Sequence, residues 1–165
     1  MEEAIKKADV LVEALPYIRK FHNKIIVIKY GGSILGEENI RKEVLEDIVF
    51  LSFIGLRPVL VHGGGPNISE RMRTSGKKTE FLDGMRVTDQ ETLAMVSEEL
   101  QKLNDIITRE ISELGAKAIS LNGQDKNLIQ AEKKRAKIDL GLVGHVTEIN
   151  TKPILEKFKS NTVIV

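Results

Sequence analysis

Two short apolar runs each lead directly into a glycine cluster, and this arrangement constrains the fold more than any other feature of the chain. Ile25-Ile26-Val27-Ile28 passes through Lys29-Tyr30 into Gly31-Gly32, and Pro58-Val59-Leu60-Val61 passes through His62 into Gly63-Gly64-Gly65-Pro66. Runs this short, β-branched and apolar throughout, predict fully buried strands of a parallel sheet. Between them, residues 37–54 place Ile40, Val44, Ile48 and Leu51 on one helical face, and Gly55 is positioned to end that helix. Pro66 suits the first turn of a further helix, over residues 66–75.

The rest of the chain continues the alternation. Residues 2–20 carry Ile5, Ala8, Val12 and Leu15 at helical spacing, with Pro16 predicting a kink or break. Residues 76–87 read as a loop of little periodicity. Thr88 and Glu91 have capping-box spacing, and they open the longest helix, with a stripe of Leu93, Val96, Leu100, Leu103, Ile107, Ile111 and Leu114 that ends at Gly115. This stripe reads as core or as subunit contact. Residues 116–121 are a third strand, Asn122-Gly123 a turn, and 128–146 a β-hairpin region with Leu128-Ile129 and Leu142-Val143 as its apolar pieces. Thr151 and Pro153 start a last short helix, and Thr162 to Val165 form another buried strand. The order argues for an α/β fold with a mostly parallel sheet. In such sheets ligands bind outside the carboxyl ends of the strands, where both glycine clusters sit.

Composition excludes several classes of function. The 165 residues fit one domain, or one domain and part of a second. A net charge of +1 offers no basic excess for nucleic acid. The absence of cysteine removes disulfides, thiolate zinc sites and thiol catalysis. No apolar run is long enough to span a membrane, and Glu2, Glu3, Lys6 and Lys7 make the amino terminus unlike a signal peptide. A cytoplasmic location is the expectation. His22, His62 and His145 show no ligand spacing, so no protein-held metal is expected.

Three places could carry chemistry. Lys29 can aim into the crevice and neutralise a phosphoryl group, or it can snorkel from a strand end to water; position alone leaves both open. Gly63-Gly64-Gly65-Pro66 lets the backbone approach a ligand, and the helix behind it points unpaired N–H groups at an anion. Arg86, within Asp83-Gly84-Met85-Arg86-Val87-Thr88-Asp89, could clamp a carboxylate with its planar fork, although alone it reads as a surface arginine. Lys133, Lys134, Arg135 and Lys137 read as a solvated hairpin tip. Neither a Walker A pattern nor GxGxxG is present.

Five segments together resemble the amino acid kinase family. They are Ile28-Lys29-Tyr30-Gly31-Gly32-Ser33; Val61-His62-Gly63-Gly64-Gly65-Pro66-Asn67; Phe81-Leu82-Asp83-Gly84-Met85-Arg86-Val87-Thr88-Asp89; Ser120-Leu121-Asn122-Gly123-Gln124-Asp125; and Gly141-Leu142-Val143-Gly144-His145-Val146. Each is weak alone, but five in order are specific. Relatives acting on aspartate, glutamate, carbamate or UMP share the first glycine loop, whereas the arginine motif favours the N-acetylglutamate branch.

The resemblance implies a three-layer αβα sandwich and a reaction in which ATP, with Mg2+, phosphorylates the side-chain carboxylate of N-acetyl-L-glutamate. Lys29 resembles the transition-state lysine. Gly31, Gly32, Ser33 and Gly63 match the phosphate loops, Gly64 and Gly65 the substrate-binding glycines, and Arg86 the holder of the α-carboxylate. Residues 24–165 resemble the substrate domain, and residues 1–23 an oligomerising kinked helix. The resemblance further implies a homodimer through residues 88–114, a hexamer through residues 2–20 and a possible arginine effector. The family's second catalytic lysine and most of its nucleotide site have no match here, so the chain is expected to stop before the nucleotide domain and to be inactive alone. A strand left at the chain end points the same way, since its sheet neighbours would otherwise follow. The alternatives are a non-catalytic ligand-binding or regulatory module, or a sibling kinase for aspartate, glutamate or UMP.

Overall fold

The computed structural model describes residues 1–31, 37–135, 137–159 and 161–165. In chain order the elements are α1 (Glu2–Phe21), β1 (Ile25–Tyr30), α2 (Glu38–Phe53), β2 (Arg57–His62), α3 (Gly65–Thr74), β3 (Phe81–Leu82), β4 (Met85–Arg86), α4 (Gln90–Glu113), β5 (Lys117–Ile119), β6 (Ile129–Lys133), β7 (Gly144–Ile149), α5 (Lys152–Lys157) and β8 (Thr162–Ile164). The central sheet has the order β1-β2-β8-β5, and every pair in it is parallel. The fold is α/β, as the alternation of elements predicts.

One face of the sheet holds the core. Tyr30, Leu60, Val163 and Val165 meet Leu45, Ile48 and Val49 of α2 and Ile107 and Ile111 of α4. Burying each such side chain contributes about 1.5–3 kcal/mol. Arg41 of α2 and Glu110 of α4 lock the two helices with a fork of two hydrogen bonds, at 2.8 and 2.7 Å. Arg57, Val59 and Val61 belong to the other face of β2. The Phe158 ring beyond α5 lies 5.8 Å from the Arg57 guanidinium, so α5 marks that second face.

Several expectations are corrected. β1 is an edge strand, not a fully buried one: Ile25, Val27 and Lys29 are exposed while Tyr30 points inward. An apolar run does not distinguish an edge from a centre when both of its faces are apolar. β8 lies between β2 and β5, paired on both sides, so its neighbours precede it in sequence and the argument from a strand left at the chain end does not hold. α1 runs without interruption through Pro16, which removes one backbone donor but does not end the helix. Asp89, not Thr88, caps α4: its carboxylate accepts from the Thr92 N–H at 2.8 Å, while the Thr88 hydroxyl donates to the Arg86 carbonyl at 2.6 Å. Within the stripe of α4, Leu103, Ile107 and Ile111 are core, whereas Leu93, Val96 and Leu100 are half-buried.

Candidate functional site

The glycine loop after β2 is seated on α4. A Cβ at Gly64 would lie 3.0 Å from Leu103 and 3.1 Å from Leu100, so a side chain there would have to push these two leucines back by a few tenths of an ångström. Arg71 of α3 pairs with Glu98 and, at 2.9 Å, with the buried Glu99, fixing α3 along α4. Gly63 and Gly65, in contrast, face open space. The first-turn N–H groups of Gly65 and Asn67 lack intrahelical acceptors, and Pro66 has no N–H to leave unpaired. The loop therefore presents donors to a crevice at the carboxyl end of β2.

The segment expected to be a loop, residues 76–87, contains a tight hairpin. β3 and β4 pair antiparallel across Asp83-Gly84, both with positive φ (49° and 76°). Asp-Gly is a strong signal for such a turn, and it was available in the sequence. The hairpin carries Arg86 across to α3. One terminal nitrogen of the guanidinium, Nη2, donates to Ser69 Oγ at 2.8 Å and lies 3.4 Å from the Gly65 carbonyl. The other, Nη1, is 3.1 Å from Met72 Sδ, and the Phe81 ring stacks 4.7 Å away. Burial pushes the Arg86 pKa down from its usual value. At the base of the hairpin, the Lys77 ammonium holds Asp89 at 2.8 Å and Glu91 at 2.7 Å.

A strap formed by residues 140–143 closes the far wall. The Thr88 N–H donates to the Leu140 carbonyl at 3.0 Å, and the Leu142 N–H donates to the Thr88 carbonyl at 2.6 Å. The strap sets Leu142 and Val143 opposite Gly65, Pro66 and Arg86 around a groove of about 670 Å³. Leu142-Val143 precedes β7 instead of lying in it, because the hairpin partners of β6 begin at Gly144. Lys134 is not the solvated tip expected: its N–H bonds the Val143 carbonyl and its ammonium reaches Met85 Sδ at 3.1 Å. The expectation for Lys133 holds better, as an exposed partner of Asp139.

The predicted residues divide into two groups. Gly65 and Arg86 line one groove, and Gly64 supports it from behind. Lys29 sits on β1 beside Val61, exposed, and is not part of the lining of the Arg86 groove. Gly31 is exposed, whereas Gly32 and Ser33 lie outside the described residues. A second groove of about 610 Å³ shares Leu93 and Val96 with the first and brings in His62, Asn104 and Asn122. Burial pushes the His62 pKa down, against a weaker opposite pull from the Gly63 carbonyl. Sequence reading missed Ser69, Met72 and Phe81 as partners of Arg86. The available signal was Gly65, Ser69 and Met72 at four- and three-residue spacing on one face of α3.

The model of the amino acid kinase family matches residues 24–165. This chain belongs to the amino acid kinase family. Among its amino acid kinase relatives, acetylglutamate kinase from Halothermothrix orenii is 45% identical over 169 residues, spanning 100% of this chain and 58% of that one. Acetylglutamate kinase from Methanocaldococcus jannaschii is 45% identical over 163 residues, spanning 92% and 54%. The chain thus spans little more than half the length of the curated relatives it matches. In three dimensions, N-acetylglutamate synthase from Neisseria gonorrhoeae superposes with a TM-score of 0.77 at 21% identity, over 93% of this chain and 35% of that one, which is a likeness of fold.

Proposed function

We propose that this chain is the substrate-binding part of an acetylglutamate kinase, which transfers the γ-phosphoryl of ATP to the side-chain carboxylate of N-acetyl-L-glutamate in arginine biosynthesis. One observation carries this reading: among the described residues Arg86 is the only charged side chain lining a groove whose other walls are mostly apolar, with the hydroxyls of Ser69 and Thr88. A substrate carboxylate gains a charged, fork-shaped partner there. None of the side chains lining the groove is a carboxylate, so a free α-ammonium gains no ionic partner there and meets the Arg86 charge instead; the groove suits an amino acid whose nitrogen is acylated. This argues against the sibling kinases of free aspartate or glutamate.

In this arrangement Arg86 takes the α-carboxylate, and the donors around Gly64 and Gly65 hold the substrate near the glycine loop. One oxygen of the side-chain carboxylate attacks the γ-phosphorus as the bond to the β,γ-bridging oxygen breaks, giving an acyl phosphate and ADP. No proton need move, so the task is positioning and charge stabilisation. Lys29 supplies the cation for the transferring group, and Gly31, Gly32, Ser33 and Gly63 the phosphate loops. ATP enters as substrate with its own Mg2+.

Assembly forms part of the same proposal. α1 buries none of its residues and exposes Val10, Leu11, Val12, Leu15 and Tyr17, a surface that suits other copies of the chain in a hexamer. A dimer through residues 88–114 belongs to the same reading. Among the described residues no helix is long and apolar enough to cross a membrane.

The test is acyl phosphate formation by the natural full-length protein, trapped as the hydroxamate. N-acetyl-L-glutamate is expected to be the preferred acceptor. Equal or faster phosphorylation of free glutamate or aspartate would overturn the proposal.

A further inference from the structure

We propose that Ser69 and Phe81 are positioning residues for Arg86, holding its guanidinium oriented in the groove before the substrate arrives. The inference rests on the reading of Arg86 as the carboxylate holder. An arginine on a two-residue strand would otherwise sample many rotamers, and that freedom would be lost on binding. Here the side chain is gripped from two elements. Ser69 on α3 accepts from Nη2 at 2.8 Å, and Phe81 on β3 stacks at 4.7 Å, within the range of a cation–π contact. Met72 Sδ at 3.1 Å and the Gly65 carbonyl at 3.4 Å complete the cradle.

The grip leaves chemistry for the ligand. Among the described residues Nε–H has no acceptor, and the 3.4 Å contact of Nη2 with Gly65 is long enough to be exchanged readily. A carboxylate can therefore take the Nε and Nη2 edge while the Ser69 contact stays in place. Ser69 also ties this recognition to the glycine loop, because it lies one turn along α3 from Gly65. Among the described residues the Ser69 hydroxyl makes no other hydrogen bond, and Phe81 is largely exposed, so neither side chain is held in place by packing alone.

The experiment titrates N-acetyl-L-glutamate into the natural full-length protein and its Ser69→Ala, Ser69→Thr, Phe81→Leu and Phe81→Tyr variants, and measures kcat and KM alongside. Ser69→Ala is expected to weaken binding roughly five- to tenfold and to raise KM by the same factor, with kcat changed less than twofold. Ser69→Thr keeps the hydroxyl and restores most of the affinity. Phe81→Leu loses a few-fold, and Phe81→Tyr does not. In an Arg86→Lys background the Ser69→Ala effect should vanish, because no fork remains to be held. Wild-type affinity in Ser69→Ala, or a Ser69→Ala loss that persists undiminished beside Arg86→Lys, would overturn the positioning role while leaving the substrate reading intact. Wild-type protein that fails to bind N-acetyl-L-glutamate would overturn the substrate reading and this inference with it.

Discussion

Gly141 and Thr88 interlock: a Cβ on Gly141, whose φ is +71°, would lie 2.1 Å from the Thr88 carbonyl oxygen. That oxygen already accepts from the Leu142 N–H, so the strap and the segment leaving Arg86 share one fastening. Gly141→Ala is expected to destabilise the protein by about 2 kcal/mol or more, from left-handed strain and the forced separation. Binding of N-acetyl-L-glutamate should weaken as well, since Leu142 and Val143 lose their placement. Urea unfolding and a ligand titration check both effects.

Tyr30 is 4% exposed, and its hydroxyl has no hydrogen-bond partner among the described residues. A buried, unsatisfied hydroxyl costs about 1–3 kcal/mol. Tyr30→Phe keeps the ring and removes that cost. The variant should unfold at equal or higher temperature than the wild type. A clear fall in Tm would mean that the hydroxyl has a partner.

Arg41 and Glu110 form the fork between α2 and α4, with side chains 14% and 25% exposed. Removing one partner leaves a poorly solvated charge, so Arg41→Ala or Glu110→Ala is expected to cost about 2–4 kcal/mol. Replacing both by Met and Leu should recover much of that loss. Denaturant midpoints of the four proteins measure both the loss and the recovery.

Lys77, followed by the backbone N–H and the hydroxyl of Thr92, holds the Asp89 carboxyl far below the usual carboxylate range. A depressed folded-state pKa stabilises the protein above the unfolded value, near 3.9, and that stability is lost as pH falls further. Asp89→Asn keeps a good helix cap while removing the titration. Its Tm should therefore fall less steeply than the wild type's between pH 5 and 2, as followed by circular dichroism.

Much of this arrangement is legible in the chain, for physical reasons. β1 and β2 announce themselves because β-branched residues run into glycine, and α4 because its stripe spans six turns. What the sequence hides is non-local. The insertion of β8 between β2 and β5 depends on pairings more than a hundred residues apart for β2, and no local pattern encodes a neighbour at that distance. The edge position of β1 is hidden because Ile25 and Val27 are apolar yet exposed. The hairpin of β3 and β4 was hidden only by its brevity, since Asp83-Gly84 marks the turn. For the site, the glycine loop and Arg86 are recognisable by motif, whereas Ser69 and Phe81 acquire meaning only when α3 and the hairpin come together. The cradle therefore follows from the fold and not from spacing.

Lys29 carries the catalytic part of the proposal. Lys29→Ala in the active protein is expected to lower kcat about 10²–10³-fold while changing KM for N-acetyl-L-glutamate much less, because its charge acts as the phosphoryl group moves. Steady-state kinetics decide it. An unchanged kcat with a raised KM would reduce Lys29 to a binding role.

The most direct test of the central claim is calorimetric titration of the protein with N-acetyl-L-glutamate and, separately, with L-glutamate, each repeated on Arg86→Lys. A mostly apolar groove in which Arg86 is the only charged side chain among the described residues predicts that N-acetyl-L-glutamate binds at least about tenfold tighter than L-glutamate, and that Arg86→Lys weakens the acylated ligand by about 1–2 kcal/mol. Equal affinity for the two ligands, or an Arg86→Lys variant that binds N-acetyl-L-glutamate as well as the wild type, would contradict it.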